Sequence, residues 1–292
     1  PVKPPPTPTG PDGPRPDDAP AGTGAVARAL SRGGEADVTG LPGASRALVV
    51  RDLLDRAELS LRAVLAVAAD EEEADRLARD LAFFLGGPGR VARLPADPVL
   101  PYDDLSPDRG LEMERLAALC RLHLEPGSIA AVVVSARALA RRVVPRGAFD
   151  RGEILAAGVS VDREALSRRL VELGYARVPL VEDPGTFAVR GGILDLWSPL
   201  DERPVRLEFF GDEGESLRRF DAGSQRRSGA AEEAGPAEVV VCPAREALFT
   251  PEGKAAAVRA VREAAERVDR PTSKVREILD AIEAGTAFFG LE

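Results

Sequence analysis

Gly40-Leu41-Pro42-Gly43-Ala44-Ser45-Arg46 is the stretch of this sequence nearest to a phosphate-binding loop. Such a loop has the form GxxxxGK[ST], in which backbone N–H groups cradle phosphates, the lysine reaches the β/γ oxygens and the hydroxyl holds Mg²⁺. Here glycines lead into a helix, but there is no lysine and Pro42 removes a donor. An ordinary turn into a helix is the expected reading, and no GxGxxG follows an expected strand. A metal centre needs clustered His, Cys or carboxylate ligands. The one histidine, His123, stands beside Arg121 on an expected helix and reads as a surface or part-buried side chain. The run Asp70-Glu71-Glu72-Glu73 lies where a helix should begin, and the macrodipole accounts for it. Asp103 and Asp104, with Asp108, fall in a Pro-rich loop, where turn formation explains them. Cys120 and Cys242 have no CxxC or Cys/His companion and read as buried thiols. With no nucleophile beside a base, no enzyme site is expected.

Arginine is the residue whose placement does suggest chemistry. Between Arg137 and Arg177 the basic residues are Arg137, Arg141, Arg142, Arg146, Arg151, Arg163, Arg168, Arg169 and Arg177. Against them stand Asp150, Glu153, Asp162, Glu164 and Glu172, so the segment is locally +4 inside a chain of net charge -9. Leu166, Leu170 and Leu173 recur at helical spacing and mark a buried stripe. Arg168 lies opposite that stripe, flanked four residues away by Glu164 and Glu172, and is expected to be neutralised locally. Arg163 and Arg169 flank the stripe at roughly 60° on either side. Arg163 also falls in the first helical turn, where a cation opposes the dipole at a cost of ~0.3–1 kcal/mol. A docking role fits it, because a guanidinium pairs with carboxylates through two parallel hydrogen bonds and anchors interfaces.

The elements that must position these residues follow from pattern and punctuation. The chain has 292 residues, 44% hydrophobic and 30% charged, enough for about two soluble globular domains. Its acidic excess argues against a protein that coats DNA or membranes through surplus Lys and Arg. No apolar run approaches a membrane span, no signal peptide is visible, and two cysteines without a disulfide framework fit the cytoplasm. The sequence begins at Pro1 and stops just after Phe288-Phe289, which reads as a piece of a longer protein. The Pro/Gly-rich start is expected to be a disordered tail, taken as 1–40. From there strands and helices alternate: a helix over 44–54, a doubly covered parallel strand over 62–68, a helix capped by Asp70 with Glu73 at the capping-box position, a strand over 91–94, a helix over 111–124 and a strand over 129–134. Beyond 136 the grammar becomes α+β: a helix over 137–144, a strand from 154 to 161, the helix over 163–173 and short strands over 175–181, 187–190 and 193–197. Gly191-Gly192 forms a hairpin turn, with further strands at 205–209, 217–220 and 239–242 and helices over 251–268 and 273–282.

Several ordered stretches carry a family likeness. They are Leu100-Pro101-Tyr102-Asp103-Asp104-Leu105-Ser106-Pro107-Asp108, then Val132-Val133-Val134-Ser135, then Gly185-Thr186-Phe187-Ala188-Val189-Arg190-Gly191-Gly192-Ile193-Leu194-Asp195-Leu196-Trp197. Arg206-Leu207-Glu208-Phe209-Phe210-Gly211-Asp212-Glu213, Phe220-Asp221 and Ser224-Gln225-Arg226 follow. Together, over about 41–292, the chain resembles the N-terminal region of bacterial transcription-repair coupling factors. The region is also similar to the damage-recognition protein UvrB, whose phosphate loop would fall near Gly40 to Arg46. The loop's decay here agrees with the coupling factors.

The resemblance implies an α/β fold: a degenerate P-loop, RecA-like parallel-sheet domain in two segments, 41–135 and 211–292. An α+β UvrA-interaction domain over 136–210 is inserted between them. It implies a non-catalytic module that recruits UvrA and that is autoregulatory, the protein's own C-terminal region covering the same surface. In that setting removal of stalled RNA polymerase is linked to nucleotide excision repair. The implied UvrA-binding residues are Arg163, Arg177, Arg169 and Phe187. Arg177 stands one position beyond where some members place the basic residue, directly after Tyr. No cofactor is implied for this stretch; ATP and Mg²⁺ belong to a DNA-translocating motor outside it, as do the contacts with RNA polymerase and duplex DNA. The alternative is a UvrB-like ATP-dependent damage-recognition or helicase fragment that binds DNA directly.

Overall fold

Asp70 stands in the bend between a strand and a helix and caps the helix, its carboxylate accepting the Glu73 N–H at 2.8 Å. That local cap is repeated along the chain of this computed structural model, which describes residues 22–56, 59, 63–99, 108–158, 162–210, 213–226, 236, 238–246, 248, 250–268 and 272–284. The first element is α1 (Thr23–Ser31), which packs on α2 (Ser45–Leu54) and buries Ala27. The expected disordered tail over 1–40 is therefore corrected across 23–31, where Arg56 holds Thr23 at 2.9 Å and Asp52 at 3.2 Å. Residues 1–21 lie outside the described residues.

A parallel sheet follows, with β1 (Val64–Ala68), β2 (Val91–Leu94) and β3 (Ala131–Ser135) in the order β1-β3-β2. Helix α3 (Glu71–Phe84) links β1 to β2, and α4 (Arg109–Leu124) links β2 to β3. The α3 stripe of Ala74, Leu77 and Leu81 packs with Ala68, Ala131 and Val133 on one face. On the other face Ala118 of α4 packs with Ala92, Leu94 and Val134. The expectation that the first strand is covered on both faces is corrected: Leu65 and Val67 remain 55% and 49% exposed. The reason is position, because β1 is an edge strand and α4 reaches only β2 and β3. Most of the Pro-rich loop, with Asp103 and Asp104, lies outside the described residues.

After β3 come two single turns, α5 (Ala136–Leu139) and α6 (Arg146–Phe149), so the helix expected over 137–144 shortens to four residues. Then β4 (Glu153–Ala156) leads to α7 (Arg163–Glu172). An antiparallel-rich sheet follows: β5 (Ala176–Arg177), β6 (Thr186–Arg190), β7 (Ile193–Trp197), β8 (Val205–Phe210) and β9 (Glu213–Arg219), hydrogen-bonded in that order. β5 runs parallel to β6 and every later pair is antiparallel. Pro179 shortens the strand expected over 175–181, since it has no N–H for a ladder. Separately, β10 (Glu238–Val241) pairs antiparallel with β4. The boundary expected at 210/211 is corrected by these pairings: β8 and β9 form one ladder, and β10 returns to β4.

The main core joins the two sheets' territories through α4. Met113, Leu116 and Cys120 from α4 pack with Leu166 and Leu170 of α7 and with Phe187, Leu194, Leu196, Val205 and Leu207 of the large sheet. Cys242 is in the same cluster and is buried like Cys120, as expected. The thiol of Cys120 and burial together push the Cys242 thiol well above its ordinary range, which keeps it protonated and unreactive. Trp197, the single tryptophan, donates its indole N–H to the Asp201 carbonyl at 2.9 Å on the opposite face of the sheet. Last come α8 (Pro251–Arg267) and α9 (Thr272–Ala284), a helical pair packed on each other.

Candidate partner-docking surface

The place where a nucleotide fold would take phosphate is the crevice beyond the carboxyl ends of parallel strands, at a helix N-terminus. In this chain the N-terminus of α3 is already supplied with anions. The Glu73 carboxylate accepts the Ala69 N–H at 2.9 Å and is paired with Arg46, in the first turn of the helix that follows the Gly40 stretch. Glu71 accepts the Ala96 N–H at 3.1 Å and is paired with Arg93. Burial alone would raise the Glu71 pKa, but the Ser135 hydroxyl, the Ala96 N–H and Arg93 outweigh it and lower it. The first turn of α2 thus presents an arginine, 49% exposed and paired with Glu73, where a phosphate loop offers a lysine. His123 likewise has a structural setting, with Nε2 2.9 Å from Asp150 and its ring over Phe149 at 5.8 Å. Among the described residues no group of three or more His, Cys, Asp or Glu side chains is arranged to hold a metal ion.

The arginine surface is built differently. Asp162 caps α7, accepting the N–H groups of Glu164 at 2.8 Å and Ala165 at 3.1 Å. Those donors, Ala165 first, hold the Asp162 carboxyl below its ordinary value. Immediately after the cap, Arg163 is half-buried and donates to the Gly191 carbonyl at the tip of the β6–β7 hairpin. Its unfavourable place against the dipole is therefore partly offset inside the fold by this bond, and dipole cost alone does not require an external partner for it. One terminal nitrogen is engaged, which fixes the guanidinium at the hairpin tip.

Arg177 is exposed on the edge strand β5, opposite Phe187 of β6, with no charged partner among the described residues. Three residues along β6 from Phe187 is Arg190, about 10 Å away at strand rise. Arg190 stands next to Gly191, is 45% exposed and is paired with Asp195. Arg163 and Arg190 thus both stand beside Gly191 at the hairpin tip, Arg163 on the α7 face of the sheet and Arg190 on the opposite, Asp195 face, with Arg177 on the edge strand. Arg190 was missed in the sequence reading, although an arginine ending an alternating strand just before Gly191-Gly192 was the available signal.

Two expected contact residues stand elsewhere in the chemistry. Phe187 is 0% exposed inside the main core, so it supports the sheet and cannot touch a partner directly. Arg169 is spent locally: its guanidinium lies 3.0 Å from Glu153 and 3.5 Å from Glu172, and it donates to the Arg151 carbonyl at 3.3 Å. This also corrects the reading of Arg168 as the neutralised residue, because Glu172 turns to Arg169. Below the surface, Asp195 is fully buried and accepts Arg206 Nε at 2.6 Å. Arg206 in turn lies over the Phe220 ring at 4.6 Å, and the Asp195 hydrogen bond raises its pKa further. That network stiffens the sheet face from which Arg190 projects.

Residues 154–246 match the model of the UvrB interaction domain, a span that takes in α7, the hairpin and β10. Over 274 residues the chain is 50% identical to the transcription-repair-coupling factor of Myxococcus xanthus, covering 90% of this chain. It is 34% identical over 256 residues to that of Mycobacterium tuberculosis (strain CDC 1551 / Oshkosh), covering 86% of this chain, and 34% identical over 188 residues to that of Escherichia coli (strain K12), covering 64%. The chain belongs to the transcription-repair-coupling factor family. It spans 22%, 20% and 16% of the lengths of those three coupling factors. The matched domain begins in β4 and ends just after β10, the same span that the strand pairings close upon. Every residue of the arginine surface described above falls inside it. No described helix is long and apolar enough to cross a membrane.

Proposed function

We propose that this chain is the UvrA-recruiting module of a transcription-repair coupling factor, acting by docking and without catalysis of its own. The observation that carries the reading is the placement of Arg163, Arg190 and Arg177 around the β6–β7 hairpin and its edge strand, within the stretch that matches the UvrB interaction domain. Guanidinium groups held at the rim of a rigid sheet suit recognition of an acidic protein surface, because little rotamer freedom is left to lose. The degenerate RecA-like parallel sheet serves as a scaffold, and ATP with Mg²⁺ serves a motor elsewhere in the full protein. The Arg46–Glu73 pair supports this, since the turn that would hold a phosphate has its cation engaged. Autoregulation follows the same logic: the protein's own C-terminal region would cover the arginine surface in the idle state and yield to UvrA.

The test is titration of UvrA with the 292-residue chain carrying Arg163→Ala and Arg177→Glu. A loss of affinity of at least tenfold is expected, with an unchanged circular dichroism spectrum. Undiminished binding by the folded double variant rejects the docking surface. Micromolar, Mg²⁺-dependent ATP binding by the same chain would instead favour a UvrB-like nucleotide-processing role.

A further inference from the structure

Strand β6 lies between two glycine carbonyls, and each accepts from an arginine that begins a helix. After the strand, Gly191 O accepts from Arg163, the first residue of α7. Before it, Gly185 O accepts from Arg109 at 2.7 Å, and Pro184 O accepts from the same guanidinium at 3.5 Å. Arg109 is the first residue of α4, so it too sits where the helix dipole disfavours a cation. The Gly185 carbonyl has a second donor, the N–H of Ala176 at 3.0 Å. That second bond seats the start of β5, the two-residue edge strand that carries Arg177, and the Val178 N–H to the Phe187 carbonyl at 2.9 Å holds its far end. Gly185 is built for this approach: its φ is +74°, and a Cβ there would meet the Arg109 guanidinium and Met113 Sδ, each at 2.8 Å.

We propose that Arg109 is a positioning residue for the docking edge. Through the shared Gly185 carbonyl it fixes the start of β6 and the seat of β5, and so presents Arg177, while its own half-buried guanidinium is engaged with the Pro184 and Gly185 carbonyls. The proposal rests on the docking function above. It extends that function to α4, a helix outside the matched interaction domain, and makes the parallel-sheet unit part of the recognition apparatus.

The test compares Arg109→Ala, Arg109→Lys and Arg177→Ala in the full 292-residue chain. It uses amide exchange in the free chain and UvrA titration across a range of salt concentrations. Arg109→Ala should speed exchange at Ala176 at least tenfold while leaving Leu170 and Val241 unchanged. It should weaken UvrA binding about tenfold, the range expected when a charged hydrogen bond is lost. Arg109→Lys, whose ammonium can reach one carbonyl, should recover most of both effects, and it also serves if the alanine variant fails to fold. The salt dependence of binding should be that of the parent for both Arg109 variants, and shallower only for Arg177→Ala. Unchanged exchange at Ala176, unchanged affinity, or a shallower salt dependence in Arg109→Ala would each overturn the positioning role. If Arg177→Ala binds UvrA like the parent, the docking reading falls. The exchange measurement still decides whether Arg109 seats the strand.

Discussion

At the scale of single residues, exposure and prior engagement sort the side chains that a motif alone would group together. Phe187 and Arg177 face each other in register, yet one is wholly buried and the other open to a partner. Truncating Phe187 to Ala therefore acts on the core: a loss of about 3–5 kcal/mol is expected, read as a lowered midpoint in urea. At a temperature where the variant is still folded, its UvrA affinity should stay within about threefold of the parent, because no contact atom has been removed. A selective loss of binding at unchanged stability would contradict that placement. Arg169 and Arg163 differ in the same way. The first is bracketed by Glu153 and Glu172, while the second gives one nitrogen to a carbonyl and keeps the rest of its fork.

At the scale of elements, α7 depends on its cap. Asp162 holds two backbone N–H groups as a carboxylate, and its pKa in the folded chain lies below the ordinary 3.8. A depressed carboxyl contributes stability above its unfolded value and loses that contribution as pH falls through the folded one. The first turn of α7 should accordingly fray as pH falls below the ordinary carboxyl range and through the depressed value of Asp162. Amide exchange at Glu164 and Ala165, corrected for intrinsic rates, would register it. Asp162→Asn keeps an oxygen acceptor and should remove the pH dependence. Caps and apolar stripes of this kind were legible in the sequence: the Leu166, Leu170, Leu173 stripe and the Asp70 cap fall where spacing put them. The partner of Glu73 was not legible, since its carboxylate takes the Ala69 N–H and not that of the cap residue. Nor was the bareness of β1, because an apolar run has the same pattern whether its outer face is covered or open. The commitment of Arg169 to Glu153 escaped for a similar reason, as that pair joins α7 to a strand that periodicity along α7 does not see.

At the scale of the whole molecule, α4 belongs to both sheets. Ala118 faces the parallel sheet, whereas Met113, Leu116 and Cys120 enter the main core. At its centre Arg115 is 1% exposed, 2.6 Å from the Glu246 carboxylate, and donates to the Pro95 carbonyl at 2.9 Å. Glu246 closes the matched domain and returns its N–H to Glu112 at 3.0 Å. Removing Arg115 leaves the Glu246 carboxylate only the more distant Arg141, at 4.0 Å, so Arg115→Ala should cost about 3 kcal/mol. Because the pair ties the parallel unit to the end of the interaction domain, the same change should split one calorimetric transition into two. A single, merely shifted transition would mean that the apolar contacts of α4 suffice to couple the units. The sheet that such an experiment must follow carries its own reporter. Trp197 is the chain's only tryptophan, and it sits on β7 with its indole hydrogen-bonded to Asp201. Emission excited near the red edge of protein absorbance therefore comes from one address, so fluorescence records the melting of the docking sheet while helical ellipticity records the rest.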